Sequence, residues 1–313
     1  MLELLDTIDS LVWGPAMIAL LLGSHLFFTF KTGFIQRKLP KAIKLSLSSD
    51  PEGKGDISHF GALATALAAT IGTGSIVGVA TAILAGGPGA VLWMWVTGLF
   101  GIATKYAETY AAVKYRVRDH NGFMLGGAMY IWERAFRLNG AGELDPSPGG
   151  RTPWWAKLGA VAFATFAAVA AIGTGSAVQA SAMTGIITAN APGVPAWAVG
   201  IAIVVLVSAV IFGGVGAISK VCEKLVPFMA VAYAGGCVVI LVLNGPLLGE
   251  AVGLIFECAF TPKAAFGGAV GSGLMMALQF GCARGLFSNE SGLGSAPIVA
   301  SAASTRNPAQ QAL

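Results

Sequence analysis

The chain has 313 residues with 19 Lys and Arg against 15 Asp and Glu, so 11% of it is charged where a soluble domain carries about 25%. Apolar residues make up 55%, glycines number 43 and the mean hydropathy is +0.74. This composition excludes a soluble enzyme, a disordered chain and a nucleic-acid binder, and it leaves an all-α polytopic membrane protein surrounded by lipid.

In chain order, about seven apolar stretches reach or approach the roughly 20 helical residues that cross a hydrocarbon core. They are 11–30, 58–85, 90–112, 155–189, 196–213, 225–243 and 267–287. None alternates with period two, which excludes a membrane barrel. Glu3, Asp6 and Asp9 stand where a signal peptide has its basic region, so the first stretch reads as a retained span. The fourth is long enough to tilt or break, and the fifth is marginal. Loop 31–57 holds Lys31, Arg37, Lys38, Lys41, Lys44 and Lys54. Loop 113–157 holds Lys114, Arg116, Arg118, Arg134, Arg137, Arg151 and Lys157, and loop 214–224 holds Lys220 and Lys224. These loops alternate and so share a side, while the intervening loops hold only Lys263, beside Glu250 and Glu257. The basic side is expected in the cytoplasm, with the N-terminus and loop 244–266 outside. The basic loops are thus topology signals rather than a nucleic-acid surface.

Within the second basic loop, 123–138 sets Met124, Tyr130, Ile131 and Phe136 against Glu133, Arg134 and Arg137, which predicts a short interfacial helix. The Gly- and Pro-rich stretch 139–153 reads as a linker. Cys222, Cys237, Cys258 and Cys282 have no metal-ligand spacing and read as small membrane-buried hydrophobes.

The second stretch contains Ala68-Ala69-Thr70-Ile71-Gly72-Thr73-Gly74-Ser75-Ile76-Val77-Gly78. Each glycine costs a helix about 1 kcal/mol. Two readings stand: close helix packing through small residues, or an unwound segment whose N–H groups suit a carboxylate and whose carbonyls suit a cation. The hydroxyls of Thr70, Thr73 and Ser75 add polar ligands to the second. The fourth stretch repeats the pattern as Ala170-Ala171-Ile172-Gly173-Thr174-Gly175-Ser176, with Ala171 in the place of Thr70. Gln179 follows it, able to donate and accept, either as a ligand or as an interhelical tie. The seventh stretch carries Gly267-Gly268 and Gly271-Ser272-Gly273, then Met275, Met276, Gln279, Phe280 and Gly281, and it reads as a second discontinuous helix. Arg284, Asn289 and Glu290 are expected near the cytoplasmic end as a gate or a structural ion pair. Lys105 and Glu108, spaced i,i+3 at the inner end of the third stretch, are expected to snorkel and pair. No GxSxG, HExxH or Walker A pattern is present, and His25, His59 and His120 are scattered, so an enzyme is not expected.

At these residues the sequence resembles the alanine or glycine:cation symporter family, the sodium:alanine symporters. The resemblance runs through Ile71-Gly72-Thr73-Gly74-Ser75-Ile76-Val77-Gly78-Val79-Ala80-Thr81-Ala82-Ile83 and Gly86-Gly87-Pro88-Gly89-Ala90-Val91-Leu92-Trp93-Met94-Trp95. It continues in Ala103-Thr104-Lys105-Tyr106-Ala107-Glu108 and Arg284-Gly285-Leu286-Phe287-Ser288-Asn289-Glu290-Ser291-Gly292-Leu293-Gly294-Ser295-Ala296-Pro297. It implies a LeuT-type fold and Na⁺-coupled symport of alanine, glycine or similar small neutral amino acids, with no organic cofactor. Laid on this chain it makes 1–30 an extra N-terminal helix, 31–57 a basic cytoplasmic loop and 58–243 the first five-helix repeat. Residues 244–313 become an outer loop, the sixth core helix and a cytoplasmic tail.

The resemblance implies that amides around Thr73 and Gly74 hold the substrate carboxylate, with Thr70, Ser75 and Gln179 at the polar end. Met275, Met276, Gln279 and Phe280 would wall the side-chain pocket, and the carbonyls of Ala68 and Ile71 would face Na⁺. Ser75 stands where the family usually has Asn, and Ala128 where Pro is usual. The family's eighth core helix, which brings hydroxyls to the sodium site, has no counterpart here. The expectation is therefore an incomplete LeuT-type fold, a fragment or a chain completed by a missing C-terminal half. Two other classes were weighed. A channel could line a filter with clustered glycines, but an asymmetric pair of broken helices argues against it. A membrane enzyme needs convergent ionisable groups within the membrane, and only Arg284 and the Lys105/Glu108 pair come near that.

Overall fold

In lipid every backbone polar group must be satisfied from within, and a helix achieves this inside one segment. The apolar stretches are accordingly helical in this computed structural model, which describes residues 4, 7–8, 11–46, 53–145, 149–260 and 274–313. The chain runs α1 Pro15–Lys31, a 3-10 turn Ile35–Lys38, α2 Leu39–Ser46, α3 His59–Thr70, α4 Thr73–Gly86 and α5 Ala90–Lys114. A two-stranded antiparallel hairpin follows, β1 Val117–Arg118 and β2 Met124–Leu125, with Val117 opposite Leu125. Then come α6 Ala128–Ala135, α7 Trp154–Ala170, a π-helical turn Ala171–Ala177, α8 Val178–Asn190, α9 Ala196–Ile211 and α10 Gly214–Leu243. The chain closes with α11 Leu248–Phe260, α12 Leu274–Asn289, α13 Ala296–Ser301 and α14 Pro308–Ala312.

Among the described residues, His59–Gly86, Trp154–Asn190 and Gly214–Leu243 are long and apolar enough to cross a membrane. The segments Pro15–Lys31 and Ile35–Ser46, bent by 58°, make a fourth if taken together, and Ala196–Ile211 is shorter.

Several expectations change. The helix expected over 123–138 begins only at Ala128, because Met124–Leu125 is a strand and Gly127 sits at φ 122, a left-handed conformation that stops the helix extending backwards. The loop expected at 214–224 is the opening of α10, which starts from Gly214 at φ 69 and carries Pro227 inside it. The outer loop 244–266 contains α11, and the basic loop 31–57 contains the 3-10 turn and α2. The polar tail ends in α14, capped by Asn307 accepting from Ala309 N. The fourth stretch widens into a π-helical segment at Ala171–Ala177 without breaking. The break expected at Gly267–Gly273 in the seventh stretch lies outside the described residues.

The chain forms two compact units that interleave along the sequence. The first comprises Met1–Leu39, Thr70–Lys105 and Phe228–Leu293. In it α12 packs most closely on α4, and glycines set the spacing. A Cβ at Gly281 would stand 2.5 Å from Ala90 O, one at Gly86 would stand 3.0 Å from Met276 O, and one at Gly89 would stand 2.5 Å from Cys258 O. Ala82, Ala90 and Met94 are buried together against Val79. Trp93 meets Phe260 edge-on and donates from Nε1 to Ala259 O at 3.3 Å. The second unit comprises Pro40–Ala69, Tyr106–Pro227 and Gly294–Leu313. Its α6 packs on α7 through Trp132, Phe136 and Trp155, and Ile57, Ala62, Ala302 and Ala303 form a buried cluster.

Candidate functional site

The second apolar stretch breaks where its glycines are. Helix α3 ends at Thr70, α4 starts at Thr73, and Gly72 between them is extended at φ −145, ψ −155. Glycine brings no side chain to the N-cap, so the leading amides of α4, at Thr73 and Gly74, have no intrahelical acceptor. The positive end of the α4 dipole lies at the same point. Thr73 Oγ1 is buried there and has no hydrogen-bond partner among the described residues. An unsatisfied buried hydroxyl costs about 1–3 kcal/mol, so the break holds donor capacity that none of the described residues uses.

Ser75 is used differently. Its Oγ donates to Thr70 O at 2.7 Å, taking up a carbonyl that the end of α3 leaves orphaned, and it shares a hydrogen bond with Ser288 Oγ at 2.8 Å. Since Ser75 has one proton and spends it on Thr70 O, Ser288 is the donor in the second bond. Phe287 and Ser288 close against Gly74, where an added Cβ would meet Phe287 Cδ1 at 3.2 Å. Lys105 reaches the same region. Its Nζ donates to Asn289 O at 3.0 Å and lies 3.5 Å from Thr70 Oγ1. An ammonium therefore stands at the C-terminal ends of both α3 and α12, where helix dipoles favour positive charge. Asn289 Nδ2 packs close to Gly98, and Glu290 follows at φ 53, the left-handed residue that ends α12.

The structure thus brings together Thr70, Thr73, Gly74, Ser75, Lys105 and Asn289, with Ile71 inside the break itself. It does not bring Met276 and Phe280 to them. Those two pack against Gly86, at the far end of α4, roughly 20 Å along the helix from Thr73. Met275 and Gln279 lie on the same opening turns of α12, and Arg284 is half-buried further along it. Ala68, Glu108 and Gln179 belong to the second unit. Gln179 is on α8, just past the π turn. Ser288 is the residue the sequence reading passed over. Its only local signal was the polar run Ser288-Asn289-Glu290-Ser291 ending an apolar helix.

The model of the sodium:alanine symporter family matches residues 1–313, the whole chain. The chain belongs to this family. Its members are symporters rather than enzymes. Among similar proteins, a transporter of Haemophilus influenzae described as uncharacterized is 49% identical over 99% of this chain and 64% of its own length. The sodium/alanine symporter AgcS of Methanococcus maripaludis is 48% identical over 99% of this chain and 65% of its own. The probable sodium/glutamine symporter GlnT of Bacillus subtilis is 34% identical over 97% of this chain and 59% of its own. The chain spans just under two thirds of the length of the first two relatives.

Proposed function

We propose that the chain is part of a Na⁺-coupled symporter for alanine, glycine or similar small neutral amino acids, working by alternating access in the plasma membrane. Membership of the sodium:alanine symporter family supports the reaction class. The printed name of the Methanococcus relative supports alanine and sodium. The observation that carries the site is the break at Ile71–Gly72, with uncapped amides and a buried Thr73 hydroxyl that none of the described residues satisfies. A substrate carboxylate fits that donor set, because it brings acceptors and negative charge to a helix N-terminus. The carbonyls of Ala68 and Ile71 supply oxygens toward Na⁺, which binds as co-substrate. Gln179 is assigned to the polar end of the substrate, and the side-chain wall moves from Met276 and Phe280 to Phe287 beside Gly74.

In this reading Ser75, Ser288 and Lys105 position the site without touching the substrate. They hold the ends of α3 and α12 so that the break keeps its shape. The LeuT-type fold, about seven spans with basic loops in the cytoplasm, and residues 58–243 as the first repeat all belong to the same proposal. Uptake of labelled alanine by the full-length protein in proteoliposomes tests it. An inward Na⁺ gradient is expected to drive saturable accumulation, and conductance that does not saturate with substrate would favour a pore instead.

A further inference from the structure

At the inner end of α5, within the second unit, a cavity of about 410 Å³ is lined by Lys114, Arg116, Arg118 and Arg306 together with apolar groups that include Val117 and Met124. Among the described residues the lining holds four cationic side chains and no carboxylate. Among the described residues, two carboxylates lie near it, and the charge of Asp56 acts on Arg116. Asp56 accepts from Met124 N at 2.8 Å, and Asp119 pairs with His120 at 2.9 Å.

The cavity is built on a rigid floor. Arg116 Nη1 donates to Ser301 O and Ala303 O at 2.8 and 2.7 Å, and Nη2 donates to Lys54 O and Thr305 O at 2.7 and 2.8 Å. The two strips of backbone are also laced to each other: Asp56 N donates to Ala302 O at 2.7 Å, and Ser304 N to Ile57 O at 2.8 Å. Glycine is required in that lacing, since a Cβ at Gly53 would stand 2.7 Å from Ser304 O. Carbonyls satisfy the guanidinium's protons without cancelling its charge, so Arg116 stays a cation with no carboxylate bonded to it. Arg118 is anchored through Nε to Gly122 O at 2.9 Å, which leaves its two amino groups for the cavity. Lys114 lies over the rings of Tyr110 and Tyr115.

We infer that this cavity binds the phosphate of an anionic phospholipid headgroup. The shared chemistry is a phosphate-bearing anion. The assignment to lipid rests on the apolar part of the lining, which suits a glycerol backbone, and on the position at the C-terminal end of the 25-residue helix α5. Clustered Lys and Arg at such a position attract anionic lipid. The location at the membrane surface rests on the topology proposed above, but the binding chemistry does not depend on transport.

The test uses the purified full-length protein in mild detergent and measures by native mass spectrometry its retention of phosphatidylglycerol against phosphatidylcholine. The variant is Arg118→Gln with Lys114→Gln, which leaves Arg116 and its carbonyls in place. Wild type is expected to retain phosphatidylglycerol in preference. Each charge removed is expected to cost about fivefold, roughly 25-fold for the pair. Equal thermal midpoints of the two proteins in phosphatidylcholine establish that the variant is folded. Unchanged phosphatidylglycerol retention in the variant, or equal retention of the two lipids by wild type, overturns the inference. Inorganic phosphate bound at millimolar concentration by a protein that retains no lipid overturns the lipid assignment. Absence of Na⁺-driven uptake by wild type, with lipid retention behaving as expected, counts against the transport reading and leaves the pocket standing.

Discussion

The pairing of Ser75 with Ser288 makes a quantitative prediction. Ser75→Ala removes two hydrogen bonds, to Thr70 O at 2.7 Å and to Ser288 Oγ at 2.8 Å. Ser288→Ala removes only the second. A hydrogen bond in a folded protein contributes about 1 kcal/mol net, and those between membrane helices average about 0.6 kcal/mol. The expected cost is therefore about 1 kcal/mol for Ser288→Ala and about 2 kcal/mol for Ser75→Ala, the second lost bond making the difference. The double variant should cost no more than about 0.5 kcal/mol beyond Ser75→Ala, because the shared bond is already gone. Reversible unfolding of the four full-length proteins in one detergent gives the cycle. Strict additivity, or equal costs for the two single variants, would refute the argument that Ser75 closes the break and Ser288 acts only through it.

Lys105→Met is expected to destabilise by about 1.5–3 kcal/mol, the range for a hydrogen bond to a charged group, because it removes the bond to Asn289 O at 3.0 Å. Lys105→Gln should recover part of that loss in the same unfolding assay. Gly281→Ala places a methyl 2.5 Å from Ala90 O and should cost about 1–3 kcal/mol. Gly175→Ala, where nothing lies within 4 Å, should be neutral or gain about 0.5–1 kcal/mol. Arg116→Lys keeps the charge but cannot span four carbonyls, so limited proteolysis should cut faster within 302–307 than in wild type.

The helices were legible because apolar run length is a local property, and each expected stretch is mostly helical over its described residues. The break at Ile71–Gly72 was legible from the glycines and hydroxyls around it, yet the near-identical run at 170–176 stays helical. The difference is tertiary. Gly173 and Gly175 have nothing within 4 Å, and Thr174 and Ser176 bond back to Ala170 O and Ile172 O, each at 2.8 Å, inside their own helix. Gly74 instead packs against Phe287, and Ser75 reaches across the break to Thr70 O and out to Ser288. The same letters thus unwind only where a partner helix takes up the freed groups. Ser288, the inward turn of Lys105 and the carbonyl set around Arg116 were not legible, because each joins residues far apart in the chain and leaves no periodic trace. The start of α6 at Ala128 was obscured by amphipathic spacing that continued through a strand and two glycines.

The central claim is that the break at Ile71–Gly72 binds the substrate, with Thr73 Oγ1 as one of its donors. Thr73→Val tests it, since valine keeps the shape and removes the hydroxyl. Because that hydroxyl has no partner among the described residues, stability should be unchanged or rise by up to about 1 kcal/mol. Alanine affinity at saturating Na⁺, measured by equilibrium binding to the full-length protein, should fall by roughly 10- to 100-fold, the worth of one hydrogen bond to a carboxylate. A variant that binds alanine as wild type does would contradict the account.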